Sequence, residues 1–152
     1  MKRIIVVDTN VAFSTFLNVN SRIGQILLNA KKYYDFYAPE YIRSELIDHK
    51  AKIKSIGKLD EDRFVELFVL IMSNIKIFNH SIIPKAFYQN AYELCKDSDV
   101  DDTAFVAITD YVRGRLWTGD TKLTNSLKGK GYSRTITTKE LYIDFYRRES
   151  KL

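Results

Sequence analysis

The chain has 152 residues, 45% of them hydrophobic and 28% charged, with a formal net charge of +5. That size supports a single domain over residues 1–152 with a real core, and the hydrophobic share excludes a disordered chain. One cysteine excludes an internal disulfide, two histidines beside it exclude a zinc site of the usual kind, and no apolar run is long enough to span a membrane.

The apolar run that opens the chain is too short for a secretory signal, so a reducing, cytoplasmic setting is expected. Its basic balance favours an anionic partner, nucleic acid first. Ile4-Ile5-Val6-Val7 is a β-branched run that reads as a strand buried on both faces, and it ends on Asp8. In an open parallel sheet such a strand end faces the ligand crevice. Asp8 is therefore a candidate site residue, although an aspartate at a helix start also serves as a cap.

Val11 to Leu17 predicts a helical turn, and Ser21 an N-cap for a helix through Ile23, Ile26, Leu27 and Ala30 with Lys31 and Lys32 in its last turn. Asp35 to Ala38 predicts a second strand, after which Pro39 suits the first position of a helix carrying Ile42, Leu46, Ile53 and Ile56. Glu45 lies on the edge of that apolar face, and Lys50, Lys52, Lys54 and Lys58 make the far end basic before Gly57 bends or stops it. Leu59 to Ile71 predicts another helix, with Asp60, Glu61 and Asp62 at its positive end. Ile75 to Phe78 alternates as a third strand, and Pro84 opens a helix through Cys95, a small buried hydrophobe.

An acidic loop, Lys96 to Asp102, feeds into Ala104 to Ile108, which is apolar almost all round and predicts a buried helix. Asp102 falls in its first turn, with Asp99 on the same side. Arg115 to Thr118 predicts a fourth strand ending in Gly119-Asp120, Thr121 to Leu127 a helix, Arg134 to Thr137 a fifth strand and Lys139 to Arg148 a closing helix. Alternating strands and helices argue for an α/β fold with a parallel sheet covered on both faces.

Four acids stand apart from ordinary surface charge: Asp8, Glu45, Asp102 and Asp120. Two carboxylates about 4 Å apart repel by roughly 4 kcal/mol at an effective dielectric near 20. A gathering of all four needs protons or a cation to be tolerable. An all-oxygen set suits a hard ion, Mg²⁺ or Mn²⁺.

Asp8-Thr9-Asn10, Arg43-Ser44-Glu45-Leu46, Asp99 to Ala107 and Thr118-Gly119-Asp120 together resemble the PIN domain family, over nearly the whole chain. The resemblance implies a three-layer α/β/α fold around a parallel sheet of about five strands in the order 3-2-1-4-5, which would make the strands before Asp8 and Asp120 neighbours. It implies a metal-dependent endoribonuclease, either an RNA-processing nuclease or a VapC-like toxin with an antitoxin partner. Asp8, Glu45, Asp102 and Asp120 would hold Mg²⁺ or Mn²⁺, with Asp99 as an accessory and Asp101 ranked last among the three acids near the helix start. Asn10 and Thr118 would orient the acids. Water would attack an RNA phosphodiester in line and leave a 5′-phosphate, Asp8 or Asp120 taking the proton. Arg43, Lys50, Lys52, Lys54 and Lys122 are candidates for contacts to the RNA backbone.

The competing readings are weaker. Asn10 stands where a haloacid-dehalogenase-type phosphatase needs a second acid. Ile75 to Phe78 offers no match for the central-strand aspartate of a receiver domain, and no glycine-rich turn serves a dinucleotide. His49 and His80 read as a helix-surface and a loop residue. The alternative of another class is a catalytically silent PIN-like module that binds RNA or a protein. Tyr33-Tyr34 and Phe145-Tyr146 could dock a partner or a second copy, although core packing is the better account of them.

Overall fold

The computed structural model describes residues 1–151. Five strands form one parallel sheet in the order β3-β2-β1-β4-β5: β1 Arg3–Val7, β2 Tyr34–Pro39, β3 Lys76–Phe78, β4 Arg115–Trp117 and β5 Thr135–Ile136. The β-branched opening run takes the central position, where both faces of a strand must be apolar. Ile5, Val6 and Val7 are all at or below 1% exposure.

Successive side chains leave opposite faces of the sheet. Ile5, Val7, Phe36 and Trp117 join one core with α1 Thr9–Leu17, α2 Arg22–Asn29, α3 Tyr41–Asp48, α4 Lys50–Gly57, α5 Glu61–Ser73 and α9 Thr138–Glu149. Val6 and Leu116 join the other with α6 Lys85–Cys95, α7 Thr103–Val112 and α8 Thr121–Gly129. The three-layer arrangement and the strand order are those expected from the sequence.

Side-chain caps set several helix starts. The Ser21 hydroxyl accepts from the Gly24 amide, Asp60 from the Arg63 amide, and Thr137 with Glu140 closes a capping box. Four details differ from the sequence reading. The segment after Asp8 is a full helix rather than a turn. Lys31 and Lys32 lie beyond the end of α2. Pro39 closes β2, level with Phe78 of β3, and does not open a helix; it lies past the last pairing with β1, at Tyr37, so that ladder does not need the N–H it lacks. The long helix expected around Glu45 and Lys52 is two, parted at His49, whose ring Nδ1 lies 2.7 Å from the Glu45 carbonyl oxygen. Gly57 ends α4, yet Lys58 is the residue in the left-handed conformation, φ 54°.

Tyr34 and Phe145 are core residues and Tyr33 packs against them, whereas Tyr146 is 66% exposed. Cys95 is fully buried. No helix among the described residues is long and apolar enough to cross a membrane.

Trp117 is the largest fully buried side chain. Its ring centroid is 5.9 Å from that of Phe36, and its indole N–H donates to the Thr138 hydroxyl at 3.0 Å. Trp117→Ala should cost about 3–5 kcal/mol through lost burial and the cavity left behind. Urea unfolding followed by far-UV circular dichroism checks this, because the substitution removes the chain's only tryptophan.

Candidate active site

Val7 lies level with Trp117 on the neighbouring strand, and the Asp8 amide donates to the Trp117 carbonyl at 3.1 Å. The two strand ends therefore deliver Asp8 and Thr118-Gly119-Asp120 side by side. One hydroxyl ties them together. Thr118 Oγ1 donates to Asp8 Oδ2 at 2.6 Å and accepts from the Asp120 amide at 3.0 Å.

Asp8 occupies the N-cap position of α1, but its side chain makes no capping bond. The nearby Asn10 and Thr9 amides favour its charge, but burial outweighs them. Asp120 does cap: its Oδ1 accepts from the Leu123 amide at 3.1 Å at the start of α8. Glu45 reaches in from α3 and accepts from the Thr9 hydroxyl at 3.1 Å. Asp102 ends the 3₁₀ turn Val100–Asp102 and stands at the N-cap of α7, again without a capping bond.

These four acids line one cavity of ≈ 290 Å³ at the carboxyl end of the sheet, joined there by Asp99 and Asp101. Asn10 lies on the same lining, its side chain exposed. The four acids singled out from the sequence thus lie on one cavity wall, and Asp99, Asp101 and Asp102 of the loop before α7 all reach it.

The cluster is electrostatically costly. Burial pushes the Asp102 carboxyl up to about 7, and the negative charges of Asp8, Asp99, Asp120 and Asp101 add to the effect. Burial also raises Asp8, partly offset by the Thr118 hydroxyl and the amide of Asn10, while Asp120 raises it further. Glu45 is raised by burial and by Asp8, and lowered by the Thr9 hydroxyl. The Tyr41 phenol beside them is raised by burial and by the same acids.

Mutual repulsion favours wide spacing of like charges. Among the described residues, no three His, Cys, Asp or Glu side chains are arranged to close on one ion. Asp8, Glu45 and Asp120 each have one oxygen on a hydroxyl or an amide. The donor set is nonetheless all oxygen and densely anionic, the chemistry that suits Mg²⁺ or Mn²⁺.

The basic candidates separate. Lys52 lines the acidic cavity, its ammonium 5.8 Å from the Phe13 ring centroid. Lys50 and Lys54 are both ion-paired with Glu61 and are not on the cavity wall. Helical spacing explains the split, because residues two apart point to opposite sides. Arg43 and Lys122 are exposed, on α3 and in the first turn of α8. Sequence reasoning missed Thr9 and His49 on the cavity wall. The signals were present: Thr9 follows Asp8 directly, and His49 falls four residues after Glu45, on the same helix side.

A sequence profile described as a PIN domain matches residues 6–143. None of the curated proteins compared with the chain matches it. Among solved structures, a chain in the crystal structure of VapBC2 from Rickettsia felis bound to a DNA fragment from their promoter superimposes with a TM-score of 0.64. The match covers 88% of this chain and 96% of that one, at 14% identity. Identity that low carries the fold alone.

Proposed function

Since the chain belongs to the PIN domain family, we propose that it is a Mg²⁺- or Mn²⁺-dependent endoribonuclease that hydrolyses RNA phosphodiesters. The observation that carries this reading is the convergence of Asp8, Glu45, Asp102 and Asp120 on one cavity. Acids whose ionisation is opposed by burial and by one another cluster preferentially at functional sites.

Asp8, Glu45, Asp102 and Asp120 would hold the ion, with Asp99 in reserve. The bound ion would supply a water of lowered pKa and offset the charge of the scissile phosphate. Asp8 or Asp120 would take the proton of the attacking water, leaving a 5′-phosphate on the product. Thr118 would fix the Asp8 carboxylate and, through the Asp120 amide, the loop that carries the second strand-end acid. Asn10, at the rim, would serve the same end. Lys52 is placed to meet an RNA phosphate beside the cavity. Arg43 and Lys122 would follow the strand outward, whereas Lys50 and Lys54, held by Glu61, would add only to the field.

Thr118→Val keeps the shape and removes the hydroxyl. It should weaken Mn²⁺ binding about 10–100-fold, the usual effect of losing a group that orients a ligand. Calorimetric titration of the variant with Mn²⁺ reads this directly.

The fold likeness supports an antitoxin partner or a homodimer as the cellular setting. The outer face of α5 would contribute, since Val65, Val69 and Leu70 are 49%, 62% and 43% exposed. A second reading, a silent module that binds RNA or protein, draws on the absence of a closed ligand triad among the described residues. Incubation with defined single-stranded RNAs separates the two. Cleavage in Mn²⁺ but not in chelator, giving 5′-phosphate ends, supports the enzyme. Retention of RNA without cleavage supports the module.

A further inference from the structure

Beside the acidic cleft lies a second cavity of ≈ 480 Å³ that the chemistry above leaves unused. Its volume falls in the usual range of about 300–1,000 Å³ for small-ligand sites. Tyr41, Tyr88, Val100 and Ala104 wall it, and it shares Glu45 and Asp101 with the cleft. The two cavities are thus neighbours, with Glu45 and Asp101 on the wall they share.

Both tyrosine rings are fixed by their hydroxyls. Tyr41 donates to the Asp101 carbonyl and Tyr88 to the His80 carbonyl, each at 3.1 Å. The Tyr41 ring also stands edge-on to Phe105, at 5.4 Å between centroids and 78° between planes. Val100 keeps 52% of its surface exposed. Asp101 is exposed too. Its amide donates to Asp99 and its carbonyl accepts from Tyr41, while its carboxylate takes no hydrogen bond among the described residues.

We infer that this cavity seats an unpaired guanine of the RNA, next to the phosphate that is cut, and that Asp101 selects it. The inference rests on the ribonuclease reading. Unpaired bases are recognised by stacking on aromatic faces and by hydrogen bonds to their exposed edges. Fixed tyrosine rings and an apolar wall supply the surface for stacking. An ionised carboxylate only accepts hydrogen bonds. Guanine offers it two adjacent donors on one edge, N1–H and the 2-amino group. Adenine and cytosine pair their amino group with an acceptor nitrogen, and uracil flanks its one N–H with two carbonyl oxygens, which a carboxylate repels. The shared wall with the cleft makes the seated base that of a nucleotide adjoining the scissile phosphate. Asp101 is then a specificity residue, and the ion is left to its neighbours.

The test uses single-stranded RNAs of one length that differ in a single base, cut in Mn²⁺ by the wild type, Asp101→Asn and Tyr88→Leu. The wild type should cut beside guanine in preference. Asp101→Asn should narrow the gap between guanine and the other bases by about tenfold or more. Tyr88→Leu should raise KM for guanine-containing RNA by about tenfold, as expected for a lost stacking face. Cleavage without base preference by the wild type overturns the guanine site and leaves the nuclease reading standing. So does an Asp101→Asn variant that keeps the preference or loses activity equally on every RNA. A wild type that cuts no RNA overturns the nuclease reading and the base site with it.

Discussion

Asp8→Asn should cleave RNA on the order of 10³-fold more slowly than the wild type, a rise of about 4 kcal/mol in the barrier. The substitution keeps the size and planarity of the side chain, and the amide oxygen can still accept from Thr118. What it removes is a negative charge at the centre of the cluster, and a neutral amide neither attracts a divalent ion as a carboxylate does nor takes a proton from water. The same change should leave the fold intact or stabilise it. Asp8 is only 5% exposed, and burial already opposes its ionisation. Removing that charge also relieves Asp102 and Glu45, both raised by it. Initial rates of cleavage and urea unfolding of both proteins check the two halves. Undiminished metal-dependent cleavage by the variant would contradict the role given to Asp8.

The second large effect is on stability against pH in metal-free protein. The Asp102 carboxyl is raised from 3.8 to about 7 in the fold. Below pH 4 it is protonated both folded and unfolded, so it has no effect on the pH dependence. Between pH 4 and 7 the folded protein keeps a proton that the unfolded chain releases. Stability therefore falls as pH rises through that window, and levels off above it. Asp8 and Glu45, also raised, add to the same slope. Asp144, Asp97, Glu61 and Glu149 are lowered by partners and act in the opposite direction, losing stability as pH falls below about 4. The midpoint of thermal unfolding in chelator should thus be several degrees higher at pH 5 than at pH 7.5. A domain of this size shifts by roughly 2–4 °C for each kcal/mol. Saturating Mg²⁺ should raise the pH 7.5 midpoint most, because it binds the ionised carboxylates of the folded state. Asp102→Asn should flatten the slope. A midpoint that rises steadily from pH 5 to 7.5 without metal would contradict the electrostatic account.

Much of this architecture was legible because single residues carried strong local signals. Ile4 to Val7 read as an interior strand, and Asp8 at its end as either a crevice acid or a helix cap. Asp120 was found the same way, from a short apolar strand followed by Gly119. That β1 and β4 lie side by side was not readable from periodicity. It came from the likeness of the motifs to a family, and the register of Val7 with Trp117 is what joins the two acids.

The misses have physical causes. Nothing in Tyr41 to Gly57 breaks the apolar helical pattern, so the parting at His49 was invisible. There the His49 ring nitrogen meets the Glu45 carbonyl oxygen, a contact that no sequence pattern announces. The fates of Lys50, Lys52 and Lys54 were equally hidden, because they turn on which side of α4 faces Glu61 and which faces the cavity. Pro39 was misplaced because its place in β2 depends on where the pairing with β1 ends, which the sequence does not show. That Tyr41 and Tyr88 wall a second cavity with Asp101 was hidden as well, because the three lie far apart in the chain.

Calorimetric titration of the purified, metal-free protein with Mn²⁺ near pH 7, in two buffers of different ionisation enthalpy, bears most directly on the carboxylate cluster. The account predicts saturable binding that releases protons, since Asp102 must give up its own, and it predicts that Asp8→Asn abolishes that binding. No Mn²⁺ binding by the wild type, or equal binding by Asp8→Asn, would contradict it.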